Sequence, residues 1–264
     1  MPESASPTLV LHKAMEVMNC FLPDNEPLAL TEIQRATGFP MSTAKRILES
    51  LVAEGLVVRR DQRYFLGPYV MVWADAVRRG SDVVQLSEPV LESLRDACGE
   101  TVTLNVRNGL NRVCIRRVRG KSPINYDPMV GEIIPLQAGS SSKVMLAFDD
   151  ALAEQVIAQG LTAFTESTIV DPVAFRADLE LVRKRGYAIA LDETAVGVSS
   201  IGAPIFESQG AVAAAIVIGG PSFRCTREWL EGQAGELREA GLRISRFLGW
   251  TGMNDREQAR SAAS

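Results

Sequence analysis

The sequence predicts an α+β protein in two units. The first is helical and ends in a β-hairpin; in the second, antiparallel strands are grouped with helices outside them. Three observations carry this. The chain has 264 residues, which suits two modest domains better than one large core. Residues 9–66 read as three short helices followed by two short strands. Beyond residue 98, strand-like runs come in pairs joined by short polar turns, with helical runs between them.

The first helix is expected over residues 9–21, with Leu11, Met15 and Met18 at helical spacing. A loop containing Pro23 and Pro27 follows. Thr31, with Gln34 three residues on, reads as a capping box that opens a short helix ending at about Thr37. Gly38-Phe39-Pro40 stops that helix and turns the chain. A third helix begins at Ser42 or in the turn itself and runs to about Ala53. Its apolar residues Ala44, Ile47, Leu48 and Leu51 fall at i, i+3, i+4 and i+7 and form the buried stripe. Ser42, Thr43, Lys45, Arg46 and Glu49 are left facing outward.

Two helices joined by a tight turn make a helix-turn-helix. Hydroxyls and cations near the start of its second helix are the groups that phosphates and base edges require. Residues 56–60 and 63–66 then read as two strands around Asp61-Gln62. A hairpin in that place is a wing, here carrying Arg59, Arg60 and Arg63.

Residues 68–98 read as two helices broken at Gly80-Ser81, a linker between units. In the second unit, strands are expected at 101–107 and 112–118, joined by a hairpin turn at 108–111. Helices are expected at 140–148, 152–158 and 173–185, and strands at 187–191, 198–206 and 211–218. A long helix over 227–248 closes the unit. The domain plan is therefore a winged helix-turn-helix over 1–67, linker helices over 68–98, a second domain over 99–250, and a polar, flexible tail over 251–264.

Charge sharpens this plan. The formal net charge is -4, which by itself speaks against nucleic-acid binding over the whole surface. The surplus is not evenly spread. Residues 1–80 hold 9 basic and 9 acidic side chains, and the acidic excess belongs to residues 81–264. Residues 35–63 carry six cations against three carboxylates, a local +3 on the turn, the second helix of the motif and the wing.

The remaining composition excludes several classes. A single His, His12, rules out His-based metal clusters and catalytic triads. The four Cys are scattered and form no C-x-x-C pair, so neither a metal site nor a disulfide framework is expected. No cofactor motif is present. The N-terminus lacks a basic secretory region, and the longest apolar run, Ala211–Ile218, has 8 residues. A membrane span needs about 20. A cytoplasmic protein with reduced thiols is expected.

Enzyme motifs fail in detail. Ser140 and Lys143 fit S-x-x-K, the pattern of a Ser/Lys hydrolase, but the companion S-D-N and K-T-G strings do not occur. Gly197-Val198-Ser199-Ser200-Ile201 begins like G-x-S-x-G and ends in Ile. Two alternatives to a DNA-binding regulator stay open at this point: a small-molecule sensor whose helix-turn-helix makes only protein contacts, and a hydrolase using Ser140 and Lys143.

Residues 28–67, LALTEIQRATGFPMSTAKRILESLVAEGLVVRRDQRYFLG, resemble the winged helix-turn-helix of the IclR (isocitrate lyase regulator) family of bacterial transcription factors. The stretches GETVTLNVR, GEIIPLQAGSSSKVMLA, VRKRGY and AVAAAIVIGGP resemble that family's C-terminal effector-binding domain, in the same order. The resemblance runs from about Thr8 to Gly249. It implies a GAF-like second domain, dimerisation through the N-terminal region, and often a dimer of dimers on a palindromic operator in double-stranded DNA.

Residue by residue, the resemblance implies DNA contacts from Thr31, Ser42, Thr43, Lys45, Arg46 and Glu49, and from Arg59, Arg60 and Arg63 on the wing. It places an effector pocket against the second domain's sheet, with Gln137, Gly139, Ser140 and Ser141 before and at the start of one helix. Ala190, Asp192, Ser199, Ser200, Val217 and Gly219 complete the implied lining from the later strands. Family members that bind small keto-acids tend to carry an Asp, a Cys and Ser residues where this chain has Ala190, Ser200, Val217 and Gly219. A less polar pocket is therefore expected, suited to an organic acid with an apolar body, such as an aromatic acid.

Overall fold

The computed structural model describes residues 9–22, 26–80 and 82–252. The tail expected from residue 251 lies outside the described residues from 253 onward, as do the break residue Ser81 and the loop residue Pro23. The chain divides into two compact units between Gly80 and Ser81. The first of the two linker helices thus falls in unit 1 and the second in unit 2.

Unit 1 contains α1 (Leu9–Asn19), β1 (Leu28–Ala29), α2 (Leu30–Thr37), α3 (Met41–Ala53), β2 (Val57–Arg60), β3 (Arg63–Leu66) and α4 (Tyr69–Gly80). Its core is small: Val17 and Phe21 meet Ile33, Ile47, Leu48 and Leu51, with Val57 and Tyr64 of the hairpin closing one side. The α3 stripe predicted from periodicity is buried throughout. The inward face of α1 differs from the expected one. Val17, with Ala14 and Met18 beside it, meets the core, while Leu11 and Met15 are exposed.

The helix starts also differ. Helix α2 begins one residue early, at Leu30, so Thr31 sits inside its first turn. The Glu32 carboxylate, 2.6 Å from the Ala29 N–H, does the capping that Gln34 was expected to do. Alanine offers no side-chain acceptor, so only half of a capping box forms. Helix α3 starts at Met41 behind Pro40, whose carbonyl accepts from Thr43 and Ala44. Ser42 is therefore helical and its hydroxyl is free of capping duty.

Between α2 and α3, Gly38 adopts φ 70°. This left-handed position ends α2 and needs a residue without Cβ. Strand β1 is a surprise in the expected loop. It pairs antiparallel with β3 on the side opposite β2, so the wing is a three-stranded sheet. The wing turn places Asp61 and Gln62 both at positive φ, 46° and 68°, as a two-residue I′ hairpin requires.

Unit 2 contains α5 (Asp82–Cys98), β4 (Thr101–Asn108), β5 (Asn111–Val118), β6 (Ile133–Pro135), α6 (Ser140–Ala147), α7 (Asp150–Ala158), α8 (Pro172–Arg185), β7 (Ala188–Leu191), β8 (Val198–Phe206), β9 (Val212–Pro221) and α9 (Arg227–Phe247). The strands form one fully antiparallel sheet in the order β6-β5-β4-β9-β8-β7. Helices α5 and α9 cover one face, around Leu91, Leu230 and Leu237. Helices α6, α7 and α8 cover the other, around Val144, Leu146, Phe175 and Val182. The α+β class is that predicted. Strand β6 is an addition; three residues without alternation gave no signal in the sequence.

Candidate functional sites: a DNA-facing edge and a closed polar pocket

In unit 1, burying Ala44, Ile47, Leu48 and Leu51 turns the other side of α3 to solvent. Ser42, Lys45, Arg46 and Glu49 are exposed there, and Thr43 is half-buried. Lys45 and Glu49 lie 3.8 Å apart, a solvated i,i+4 pair of small energetic weight. Among the described residues, Arg46 has no ion-pair partner. On the wing, Arg59 and Arg60 lie over the rings of Tyr64 and Phe65, at 5.8 and 5.7 Å, which holds their stems while leaving the charges in water. Arg63 is committed differently: its Nη1 donates to the Pro27 carbonyl at 2.7 Å and lies 3.6 Å from Glu32. Thr31 is exposed in the first turn of α2.

In unit 2 a small cavity of about 20 Å³ lies between the sheet and the start of α6. Strands β4 and β5 contribute Thr103, Asn105 and Arg112. Tyr126 and Pro128 come from the segment after β5. The start of α6 gives Gly139, Ser140 and Ser141, and Thr194, Val198, Ser200 and Val217 complete the wall. The lining is more polar than expected. Four positions on β7, β8 and β9 had predicted a weakly polar site, but the opposite half of the sheet supplies most of the polar groups.

Arg112 dominates the electrostatics. It is 8% exposed and, among the described residues, makes no ion pair. Its Nη1 donates to Asn105 Oδ1 at 3.2 Å, and Asn105 Nδ2 donates in turn to Thr103 Oγ1 at 3.0 Å. Nε has no partner. Burial pushes the Tyr126 phenol up, while the Arg112 charge beside it pulls the other way. Burial also pushes the Cys114 thiol, two residues along β5 from Arg112, up to about 11.

Behind the pocket lies a second buried cation. Lys143, 1% exposed, donates from Nζ to Glu193 Oε1 and to the Ile189 carbonyl, both at 2.6 Å. Asp178 lies 2.9 Å away, an ionic contact off hydrogen-bonding geometry. The second oxygen of Glu193 accepts from the Gly139 N–H at 3.2 Å. One ammonium thus ties α6, α8 and the segment after β7 together. It also removes Lys143 from any chemistry at Ser140, whose hydroxyl instead pairs with that of Ser200 at 2.8 Å.

Of the positions implied by resemblance, Gly139, Ser140, Ser141, Ser200 and Val217 line the pocket. The others lie outside its lining. Gln137 closes a loop by bonding both ways to the Thr162 backbone. Asp192, at φ 56°, accepts from Gly197 N–H and Ser222 Oγ, and Ser199 pairs with Ser222. Ala190 is buried on β7. Gly219 stands behind Tyr126: a Cβ there would come within 3.0 Å of the ring.

Arg112, Asn105 and Tyr126 were missed. The signal for Arg112 was present in RVCIRRV, where strand alternation puts Arg112 in phase with Cys114, which is buried.

A basic reading helix with a wing in one unit, and an enclosed polar pocket in another, define a DNA-binding regulator that carries its own ligand domain. The comparisons agree. The family models for the IclR helix-turn-helix domain and for the C-terminal domain of bacterial IclR transcriptional regulators match residues 10–61 and 76–246. The chain belongs to the IclR family.

It is 31% identical over 225 residues to the HTH-type transcriptional repressor AllR of Escherichia coli K12, covering 84% of this chain and 83% of that protein. The Thermotoga maritima IclR structure matches with TM-score 0.72 and 29% identity, over 91% of this chain and 98% of that one. An IclR homologue from Microbacterium hydrocarbonoxydans, in complex with 4-hydroxybenzoate, matches with TM-score 0.78 and 26% identity, over 90% and 98%. The protein is accordingly a ligand-responsive transcriptional regulator and not an enzyme. Among the described residues, no helix is long and apolar enough to cross a membrane, and no group of three or more His, Cys, Asp and Glu side chains is arranged to hold a metal.

Proposed function

We propose that the protein binds a palindromic operator as a homodimer or a dimer of dimers, and that a small organic acid in the unit 2 pocket alters its hold on that DNA. The observation that carries this is the division of α3: one face is wholly in the core, and the other presents Ser42, Lys45 and Arg46 to solvent beside the wing cations Arg59 and Arg60. Ser42, Thr43, Arg46 and Thr31 then meet bases and backbone, and Lys45, Glu49 and Arg63 flank that contact. Such a protein works in the cytoplasm, where its operator is.

Two features support a self-paired assembly. Symmetric operators call for symmetric dimers. Unit 1 also leaves an unusual amount of apolar surface in water, with Leu9, Val10, Leu11 and Met15 on α1 and Met71 and Trp73 on α4 all exposed. For the effector, the bound 4-hydroxybenzoate of the Microbacterium homologue and the free N–H groups at the start of α6 both favour a carboxylic acid. Gly139, Ser140, Ser141, Ser200 and Val217 are its direct neighbours. Gln137, Ala190, Asp192, Ser199 and Gly219 hold the surrounding walls. The ligand acts only through its different affinity for the two functional states.

Binding to the promoter of its own gene tests the DNA half: affinity should fall linearly in log K against log salt concentration. Salt-insensitive retention would favour a sensor whose helix-turn-helix contacts protein alone. Val217→Asp places a carboxylate in the pocket lining. It should abolish the ligand response and leave DNA binding intact; a surviving response would place the effector elsewhere.

A further inference from the structure

Arg112 is a charged group that the fold of unit 2 leaves without a counter-ion in the dry wall of a pocket. A buried guanidinium normally has a carboxylate against it, because desolvating an unpaired charge is costly. The other buried cation of this unit, Lys143, obeys that rule by pairing with Glu193, and even the half-buried Arg116 and Arg224 have carboxylate partners in Glu88 and Glu100. Glu132 lies on the neighbouring segment with one buried oxygen unbonded, yet it comes no closer to Arg112 than the 4.0 Å limit of an ion pair.

The geometry of what is free matters more than the charge. Nη1 is held by Asn105, which fixes the plane of the group. Nε and Nη2 share the opposite edge. Nε has no partner, and Nη2 lies 3.6 Å from the point where a Cβ on Gly139 would stand, which puts that edge at the first turn of α6. Two parallel N–H groups on one rigid edge match the two oxygens of a carboxylate. Among the described residues no second cation lines the pocket, and Lys143 is engaged behind it.

We propose that Arg112 is the specificity-determining anchor of the effector site: its Nε–Nη2 edge, with Nε unpartnered and the Tyr126 phenol beside the group, takes the carboxylate of a compact monocarboxylic acid, whose body is met by the surrounding hydroxyls and by Val198 and Val217. The inference rests on the reading of this pocket as the effector site. A dicarboxylate is disfavoured because its second charge finds only neutral groups there.

The test is thermal-shift titration of the full chain, at constant ionic strength, with acetate, pyruvate, benzoate and 4-hydroxybenzoate. Each is compared with its neutral amide, and malonate serves as the dicarboxylate. At least one monocarboxylate should stabilise the wild type while its amide and malonate do not. Arg112→Met should weaken that carboxylate by roughly 10- to 100-fold, as expected for loss of a charge-assisted bidentate contact. Arg112→Lys keeps the charge without the edge and should weaken it in the same direction, which keeps the test alive if Arg112→Met does not fold.

The proposal is overturned if no carboxylate stabilises the wild type, if amides or malonate do so equally, or if the Arg112 variants respond like the wild type. Promoter binding, measured in parallel, separates this from the effector reading. A carboxylate that binds through Arg112 without altering DNA affinity upholds the anchor and defeats the effector role. A DNA response that survives Arg112→Met does the reverse.

Discussion

The two units place their cations in opposite ways. In unit 1 the cations of α3 and the wing stand in water, several together, on a surface whose apolar side is buried in the core: Lys45 and Arg46 on α3, Arg59 and Arg60 on the wing. In unit 2 two cations lie almost fully buried within one small region, and they differ from each other. Lys143 is surrounded by Glu193, Asp178 and a carbonyl; Arg112 has an amide oxygen, the Tyr126 phenol beside it and an Nε without a partner. A solvated cation serves by being available to a polyanion over a broad area. A buried one either holds structure together or waits for one particular anion. The partner already in place decides which.

Substitutions can break or sharpen that contrast. The largest effect is expected from Lys143→Ala, which strands two carboxylates in the interior and should cost about 3–5 kcal/mol of stability in denaturant unfolding. Arg112→Met, by contrast, removes a charge with no counter-ion. It should cost about 1 kcal/mol, the price of leaving Asn105 Oδ1 unbonded. Equal losses would mean that Arg112 is structural after all.

Next comes Arg46→Ala, expected to weaken promoter binding by about 1–3 kcal/mol and, if the contact is to phosphate, to lower the salt slope by about 1. Arg63→Ala should lose less DNA affinity than Arg46→Ala, because its guanidinium is already held by Pro27 and Glu32. The smallest effect is expected from Gly38→Ala. The space around its Cβ is open, so only the left-handed backbone is strained, at about 1 kcal/mol in the melting of unit 1.

The same contrast explains what could be read in advance. Helix α3 was legible because its periodicity names both faces at once: fixing Ala44, Ile47, Leu48 and Leu51 inward fixes Lys45 and Arg46 outward. The β8–β9 pairing was legible from two long apolar runs around a polar turn. The pocket was legible only in part, at Gly139, Ser140, Ser141 and Val217 within recognised motifs and at Ser200 on β8. Arg112 belongs to a short strand with three arginines, and its burial depends on Tyr126 and Pro128, which come from a segment with no regular structure and no period. Strand β1 escaped for a related reason. Two residues pair there only because β3, some 35 positions away, offers an edge. Gln137 was placed in the pocket by analogy, but its amide found nearer partners in the Thr162 backbone.

Gly219 lies outside the pocket's lining yet bears on its width. Its backbone is in an ordinary conformation, so alanine is tolerated by the chain. The added methyl would nevertheless meet the Tyr126 ring at 3.0 Å and push it a few tenths of an ångström inward. The pocket's width can therefore change through a position behind its wall, one methyl group at a time, while every lining side chain stays as it is.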